Sequence, residues 1–187
     1  MTVTQPQPPD LGAADQALKE KHRAMWALGN YDAVATEIIA DLGPVLVQAA
    51  GISSRHRVLD VAAGSGNVAI PAARTGAQVT ASDLTPELLA IGERRAAAAG
   101  LALRWEAGDA EALPYADGEF DAVLSCVGVM FAPHHQADLD AAGWPGCLAS
   151  PASVTAGRPP TTARCCGRAR WSGARDSVRT TDGSSCR

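Results

Sequence analysis

A chain of 187 residues that is 47% hydrophobic is long enough to bury one core of ordinary size, and it predicts a globular protein. The N-terminal MTVTQPQPPDLGAADQ has no basic region before an apolar one, and no window approaches a membrane-spanning run of apolar residues, so a soluble, cytoplasmic protein is expected. The formal charge of −4 joins unlike parts, because residues 141–187 carry seven Arg against two Asp, a net +5, which leaves −9 for residues 1–140.

In chain order, residues 1–15 read as a disordered, Pro-containing leader. A helical stretch over Ala17–Leu28 and a second from Tyr31 to about Gln48 place an N-terminal helical cap over residues 16–50. Strand and helix patterns then alternate, which predicts an α/β fold with a parallel sheet and helices on both faces. The expected elements are a strand at His56–Ala62, a helix at Gly66–Arg74, a strand at Gln78–Ser82 and a helix at Pro86–Ala99, followed by strands at Leu103–Ala107 and Asp121–Cys126. Thr85 suits the N-cap of the Pro86–Ala99 helix, Pro86 its first position and Gly100 its exit, whereas Pro71 removes one backbone bond from the helix before it. After Asp140 the alternation stops, so residues 51–140 form the predicted Rossmann-like domain and residues 141–187 a low-order tail.

The chemistry concentrates in three places. In VLDVAAGSGNVAIPAA, Val58–Ala73, a strand carrying Asp60 breaks into Ala62, Gly64, Ser65 and Gly66. Such a turn lets the backbone approach a ligand closely, with the next helix pointing N–H groups at an anionic or carboxylate-bearing moiety. On its own the glycine pattern fits a tight strand-to-helix turn equally well. Asp83 ends the next expected strand, 17 residues after Gly66, where a carboxylate can accept both hydroxyls of a ribose; alone it is as well read as a helix-entry residue. Asp109 ends the third, within GDAEALPYADGEFDAVLS. Asp60, Asp83 and Asp109 thus fall on the carboxyl edge of the expected sheet, where open parallel sheets bind ligands.

In order and spacing, VLDVAAGSGN, ASDLTPELL, GDAEALPYADGEFDAV and SCVGVMF resemble the class I S-adenosylmethionine-dependent methyltransferases, especially the branch that includes ubiquinone/menaquinone biosynthesis enzymes. The resemblance covers roughly residues 20–140, with Ala62 in place of the family's first motif glycine. It implies S-adenosyl-L-methionine as cofactor and a small-molecule methyl acceptor. Asp60 and the Gly64–Ser65–Gly66 turn would hold the methionine end, and Asp83 the ribose hydroxyls, with Leu84 packed on adenine. Asp109 would accept from the adenine amino group beside the Ala110 backbone, and Cys126 would line the cleft without a nucleophilic role. Trp26 and Tyr31 would belong to a cap over the cofactor or simply to amphipathic packing. His134 and His135 are candidates for a general base or for a solvated loop. Methyl transfer from a sulfonium requires alignment more than acid–base help, and no catalytic residue is named.

The resemblance also implies a further helix and three more strands, in the order 3-2-1-4-5-7-6, which residues 141–187 do not spell out. Four of the five Cys lie there, Cys147, Cys165, Cys166 and Cys186, without metal-ligand spacing, and the Arg residues come with no Lys. Neither a metal site nor nucleic-acid binding is therefore expected. A reading-frame change near residue 140 is one account, since the codons of Gly143–Cys147 read from their third base can spell Leu-Ala-Arg-Val, a helix-compatible string. Under any account, a fourth strand left at the sheet edge in AVLSCVGVMFAP is an aggregation liability. Two rivals stay open. GSGNVA satisfies the dinucleotide pattern G-x-G-x-x-A, which suits an NAD-dependent oxidoreductase, and the unfinished sheet suits a non-catalytic binding or interaction protein.

Overall fold

A computed structural model describes residues 11–116 and 118–133, together with the backbone of residues 169–170 and 179–180, which pair as a two-residue antiparallel ladder. The expectations for residues 1–10, for His134 and His135, and for the remainder of the tail lie outside the described residues.

Strands β1 (Arg57–Val61), β2 (Gln78–Asp83), β3 (Arg104–Ala107) and β4 (Ala122–Leu124) form one sheet in the order β3-β2-β1-β4. Every neighbouring pair is parallel, with Val58 opposite Val79 on one side and Ala122 on the other. After an exposed first residue, β1 and β2 are buried throughout, as strands covered on both faces must be. Against one face pack Leu46 and Val47 of helix α3 (Leu42–Ala49) and Ala69, Ala72 and Ala73 of helix α4 (Ala69–Arg74), around Val58, Val79 and Leu124. Leu59 and Val61 point into a second cluster closed by Leu113, Tyr115 and Phe120, which are supplied by the segment between β3 and β4. Helix α5 (Pro86–Ala98) lies along β2 and β3, and its Gly92 admits the Trp105 ring, which a Cβ there would meet at 2.5 Å.

The N-terminal region departs from the sequence reading in two ways. Helix α1 runs Leu11–Leu28, so it begins inside the segment expected to be a disordered leader. Ala13, Ala14 and Ala17 favour helix, and Asp15 pairs with Lys19 one turn on at 3.0 Å. The single helix expected over residues 31–48 is broken into α2 (Tyr31–Ala33), a π-helical turn at Val34–Ile38, and α3. Asn30 caps α2 through Ala33 N–H. The Thr36 hydroxyl donates to the Asp32 carbonyl at 2.8 Å, a side-chain bond of the kind that bends helices. Pro44 sits in the first turn of α3, where its missing N–H has no partner to lose.

Helix α4 also starts late, at Ala69 rather than Gly66. Ala62, Gly64 and Gly66 have φ of 54°, 54° and 87°, left-handed values that a right-handed helix cannot absorb. This places Pro71 in the first turn of α4, where it breaks no bond. Thr85 does precede α5, with Pro86 at its start, but its side chain makes no capping bond; the Thr85 N–H is instead held by Asp83. Gly100 leaves α5 with φ of 69° as expected.

Candidate functional site

The carboxyl ends of the four strands open into a cavity of about 410 Å3, within the range of roughly 300–1,000 Å3 typical of small-molecule sites. Its floor is made by Ala62–Ser65 after β1, Asp83–Thr85 after β2, Gly108–Ala110 after β3 and Cys126–Val129 after β4. Its roof is the helical cap: Lys19, His22 and Trp26 of α1, spaced to share one helix face, then Tyr31, Val34 and Ile39. Trp26 stands edge-on to Tyr31, with ring centres 4.6 Å apart, and to Phe131 at 5.0 Å. That contact joins the cap to the 3-10 turn Val129–Phe131 after β4.

Of the expected site residues, Gly64, Ser65, Asp83, Leu84, Asp109, Ala110 and Cys126 line this one cavity. Asp60 and Gly66 do not. Asp60 lies inside β1 rather than at its end and is 1% exposed, with its Oδ2 accepting from Ala69 N–H at 2.8 Å. The start of α4 is therefore turned toward a side chain of the protein instead of toward a ligand. Gly66 is a glycine for packing reasons: a Cβ there would lie 2.8 Å from the Trp105 ring and 3.0 Å from Ile70. Gly64 is the opposite case, because a Cβ there would meet nothing within 4 Å and its open side belongs to the cavity wall.

Asp83 organises the floor. Its Oδ2 accepts from Gly64 N–H and its Oδ1 from Thr85 N–H, both at 2.8 Å, so one carboxylate fixes the glycine turn and the entry to α5. Burial pushes its pKa up, and the two N–H groups pull against that rise. Burial acts more strongly on Asp60, whose carboxyl is pushed up to about 8, with Ala69 N–H opposing and the Asp83 charge adding to the rise. Cys126, two residues past β4, is pushed up to about 11 by burial and then by Asp60. Its thiol stays protonated near neutrality, which agrees with a lining role and no nucleophilic one.

Asp109 stands two residues beyond β3 and is engaged on both oxygens: Oδ1 accepts from Glu111 N–H at 2.9 Å and Oδ2 from Lys19 Nζ at 2.7 Å. Lys19 also reaches Glu111 at 2.7 Å and Asp15 at 3.0 Å. Burial pulls the Lys19 ammonium down, but its hydrogen bonds to Asp109, Glu111 and Asp15 outweigh that and hold its pKa above the ordinary lysine value.

Sequence reasoning missed Lys19 as the partner of Asp109, and it missed Asn67. Lys19, His22 and Trp26 already fall at i, i+3 and i+7, so their shared face was readable, although nothing local said what it would face. Asn67 lines the cavity directly after the glycine turn, and its Nδ2 is buried without a hydrogen-bond partner among the described residues. No sequence signal separates such an amide from a satisfied one.

Comparison with known proteins follows the same outline. A methyltransferase-domain family profile matches residues 58–142. An uncharacterised protein of Mycobacterium tuberculosis is 65% identical over 125 residues, covering 67% of this chain and 46% of that protein. A second from the same organism is 60% identical over 126 residues, with 67% and 46% covered. The chain therefore spans about half the length of these curated relatives. The ubiquinone/menaquinone biosynthesis C-methyltransferase of Zymomonas mobilis is 38% identical over 91 residues, covering 48% of this chain and 37% of that enzyme. Among solved structures, a Methanococcus maripaludis protein inferred to be an S-adenosyl-L-methionine-dependent methyltransferase superposes with a TM-score of 0.51 at 16% identity. It covers 74% of this chain and 61% of its own, and its likeness is one of fold. These matches do not support the NAD-dependent oxidoreductase considered as an alternative. The four-stranded order, the glycine turn and these relatives agree: residues 58–142 form a methyltransferase domain of the class I S-adenosylmethionine-dependent kind.

Proposed function

We propose that the cavity binds S-adenosyl-L-methionine and that the protein transfers its methyl group to a small-molecule acceptor. The observation that carries this reading is the meeting of Gly64, Asp83, Leu84, Asp109 and Ala110, from three successive strand ends, in one cavity under a helical cap. These residues fit the ligand in order. Asp83 lines the cavity and can accept from ribose hydroxyls, and Leu84 offers an apolar surface to a base. Asp109 can accept from an exocyclic amine beside the Ala110 backbone.

The methionine end fits as well. Gly64 presents bare backbone to the cavity, while Asp60 Oδ1 and Asn67 Nδ2 on either side of the turn are buried without hydrogen-bond partners among the described residues. Leaving such atoms unpaired costs about 1–3 kcal/mol each. The carboxylate of an amino-acid group at the turn would accept from Asn67 Nδ2, whose residue lines the cavity. In this reading Asp60 acts from behind the turn, holding Ala69 and thereby the loop, instead of lining the cavity.

The sulfonium supplies an activated methyl group for in-line displacement. The chain's own residues orient the two reactants and exclude water, with Trp26, Tyr31, Val34 and Phe131 making the apolar side of the chamber. Cys126, held as a neutral thiol, adds no competing nucleophile. In this reading residues 16–50 serve as cap and 51–140 as binding domain.

Calorimetric titration of the full chain tests the reading. S-adenosylhomocysteine and S-adenosylmethionine should each bind at one site and NAD should give no heat. NAD binding without a response to either sulfur ligand would overturn it.

A further inference from the structure

The cap covers the cavity, yet it is scarcely held by burial. No residue of α1 from Gly12 on is buried, nor is any residue of α2 or the π-helical turn, and Leu18, Met25 and Leu28 of α1 are exposed. Its attachments to the rest of the molecule include charge pairs. Lys19 donates to Asp109 and pairs with Glu111, Arg23 donates to Glu87 at 3.1 Å, and Arg95 of α5 donates to Asp32 of α2 at 2.8 Å and to the Ser65 carbonyl at 3.1 Å. Arg23 and Glu87 are open to solvent, where an ion pair contributes little. The Lys19 cluster is different: the lysine side chain is 17% exposed and that of Glu111 4%, so solvent screens it far less.

We propose that Lys19 is an electrostatic latch that fastens the cap over the cavity by gripping Asp109, so that breaking this cluster sets the rate at which a bound ligand leaves. The coupling to the ligand is direct, because Asp109 is both the latch's anchor and a floor residue of the cavity. α1 roofs a ligand held on the floor, and lifting α1 strips Lys19 from Asp109 and Glu111 and parts Trp26 from Phe131. An element tied this way opens locally without global unfolding.

The release-rate part rests on the S-adenosylmethionine reading; the fastening of the cap does not. Hydrogen exchange on the ligand-free full chain therefore tests the latch alone. Lys19→Met should speed exchange of the α1 amides at least tenfold while β1 and β2 are unchanged. Lys19→Arg should restore protection, and Lys21→Met, on the exposed side of α1, should have no effect. Unchanged α1 protection in Lys19→Met, or equal loss in Lys21→Met, would overturn the latch.

Stopped-flow displacement then measures release of S-adenosylhomocysteine. Lys19→Met should raise the dissociation rate at least tenfold. An unchanged rate would overturn the gating role. If the wild-type chain binds no S-adenosylhomocysteine, the cofactor reading fails, and hydrogen exchange still decides the latch.

Discussion

Asp60 shows how one residue can be read correctly in type and wrongly in place. The sequence marks an acid before a glycine turn, and the resemblance makes it a ligand-holding group; the structure puts it behind the turn, fully buried and bonded to Ala69 N–H. The reason is register. Asp60 shares the alternation of Val58, whose face is covered by α3 and α4, so its side chain points into the packed layer instead of off the strand end. The position has a measurable consequence. With its folded pKa raised to about 8 from 3.8, Asp60 favours folding while protonated, and that contribution is lost as pH rises from about 4 through about 8. Asp60→Asn keeps an acceptor for Ala69 but cannot ionise. Urea denaturation at pH 5, 7 and 9 should show the variant gaining stability relative to the wild type as pH rises, and a difference that does not vary with pH would contradict the assignment. Asp83 closes β2 and Asp109 stands two residues past β3, and both line the cavity, because the β-rich pattern marks where those strands end.

Among the elements, the strands were legible and the helices around the turn less so. β1 and β2 announce themselves through Arg57–Val61 and Gln78–Asp83, apolar and β-branched runs that only a buried sheet accommodates. The break between α2 and α3 was missed because the apolar spacing of residues 31–48 continues through it; what interrupts the helix is the Thr36 side-chain bond and the need to restart before Pro44. Gly43 carries a further constraint that no periodicity encodes. A Cβ there would lie 1.8 Å from the Asn67 carbonyl oxygen, so α3 and the turn after β1 touch backbone to backbone. Gly43→Ala should therefore destabilise the protein by about 2–3 kcal/mol or more, as overpacking at a rigid contact does, against the small gain that alanine usually gives a helix. It should also weaken S-adenosylhomocysteine binding through the displaced Asn67 wall. Unchanged denaturation midpoints would show that the contact is soft.

At the scale of the whole molecule, the described residues assemble a parallel sheet with β4 at its edge and a cavity above it. The order of the first four strands is the one the family resemblance implied. The fold by itself does not fix the reaction, and the site must carry the functional argument. No described helix is long and apolar enough to cross a membrane. What the sequence could not show is the relation between cap and floor: Lys19 and Asp109 are 90 residues apart, and only the folded chain makes them partners.

The most direct test of the account is to map where an adenosyl sulfur ligand sits, by titrating the isotope-labelled full chain and following its backbone amide resonances. S-adenosylhomocysteine should perturb Gly64, Ser65, Asn67, Asp83, Leu84, Asp109 and Ala110 together. 5′-Methylthioadenosine, which lacks the amino-acid end, should perturb the Asp83 and Asp109 loops while leaving the Gly64–Asn67 turn nearly unmoved. Perturbations confined to other parts of the molecule, or none at saturating ligand, would contradict the claim that these loops form one adenosyl-binding site.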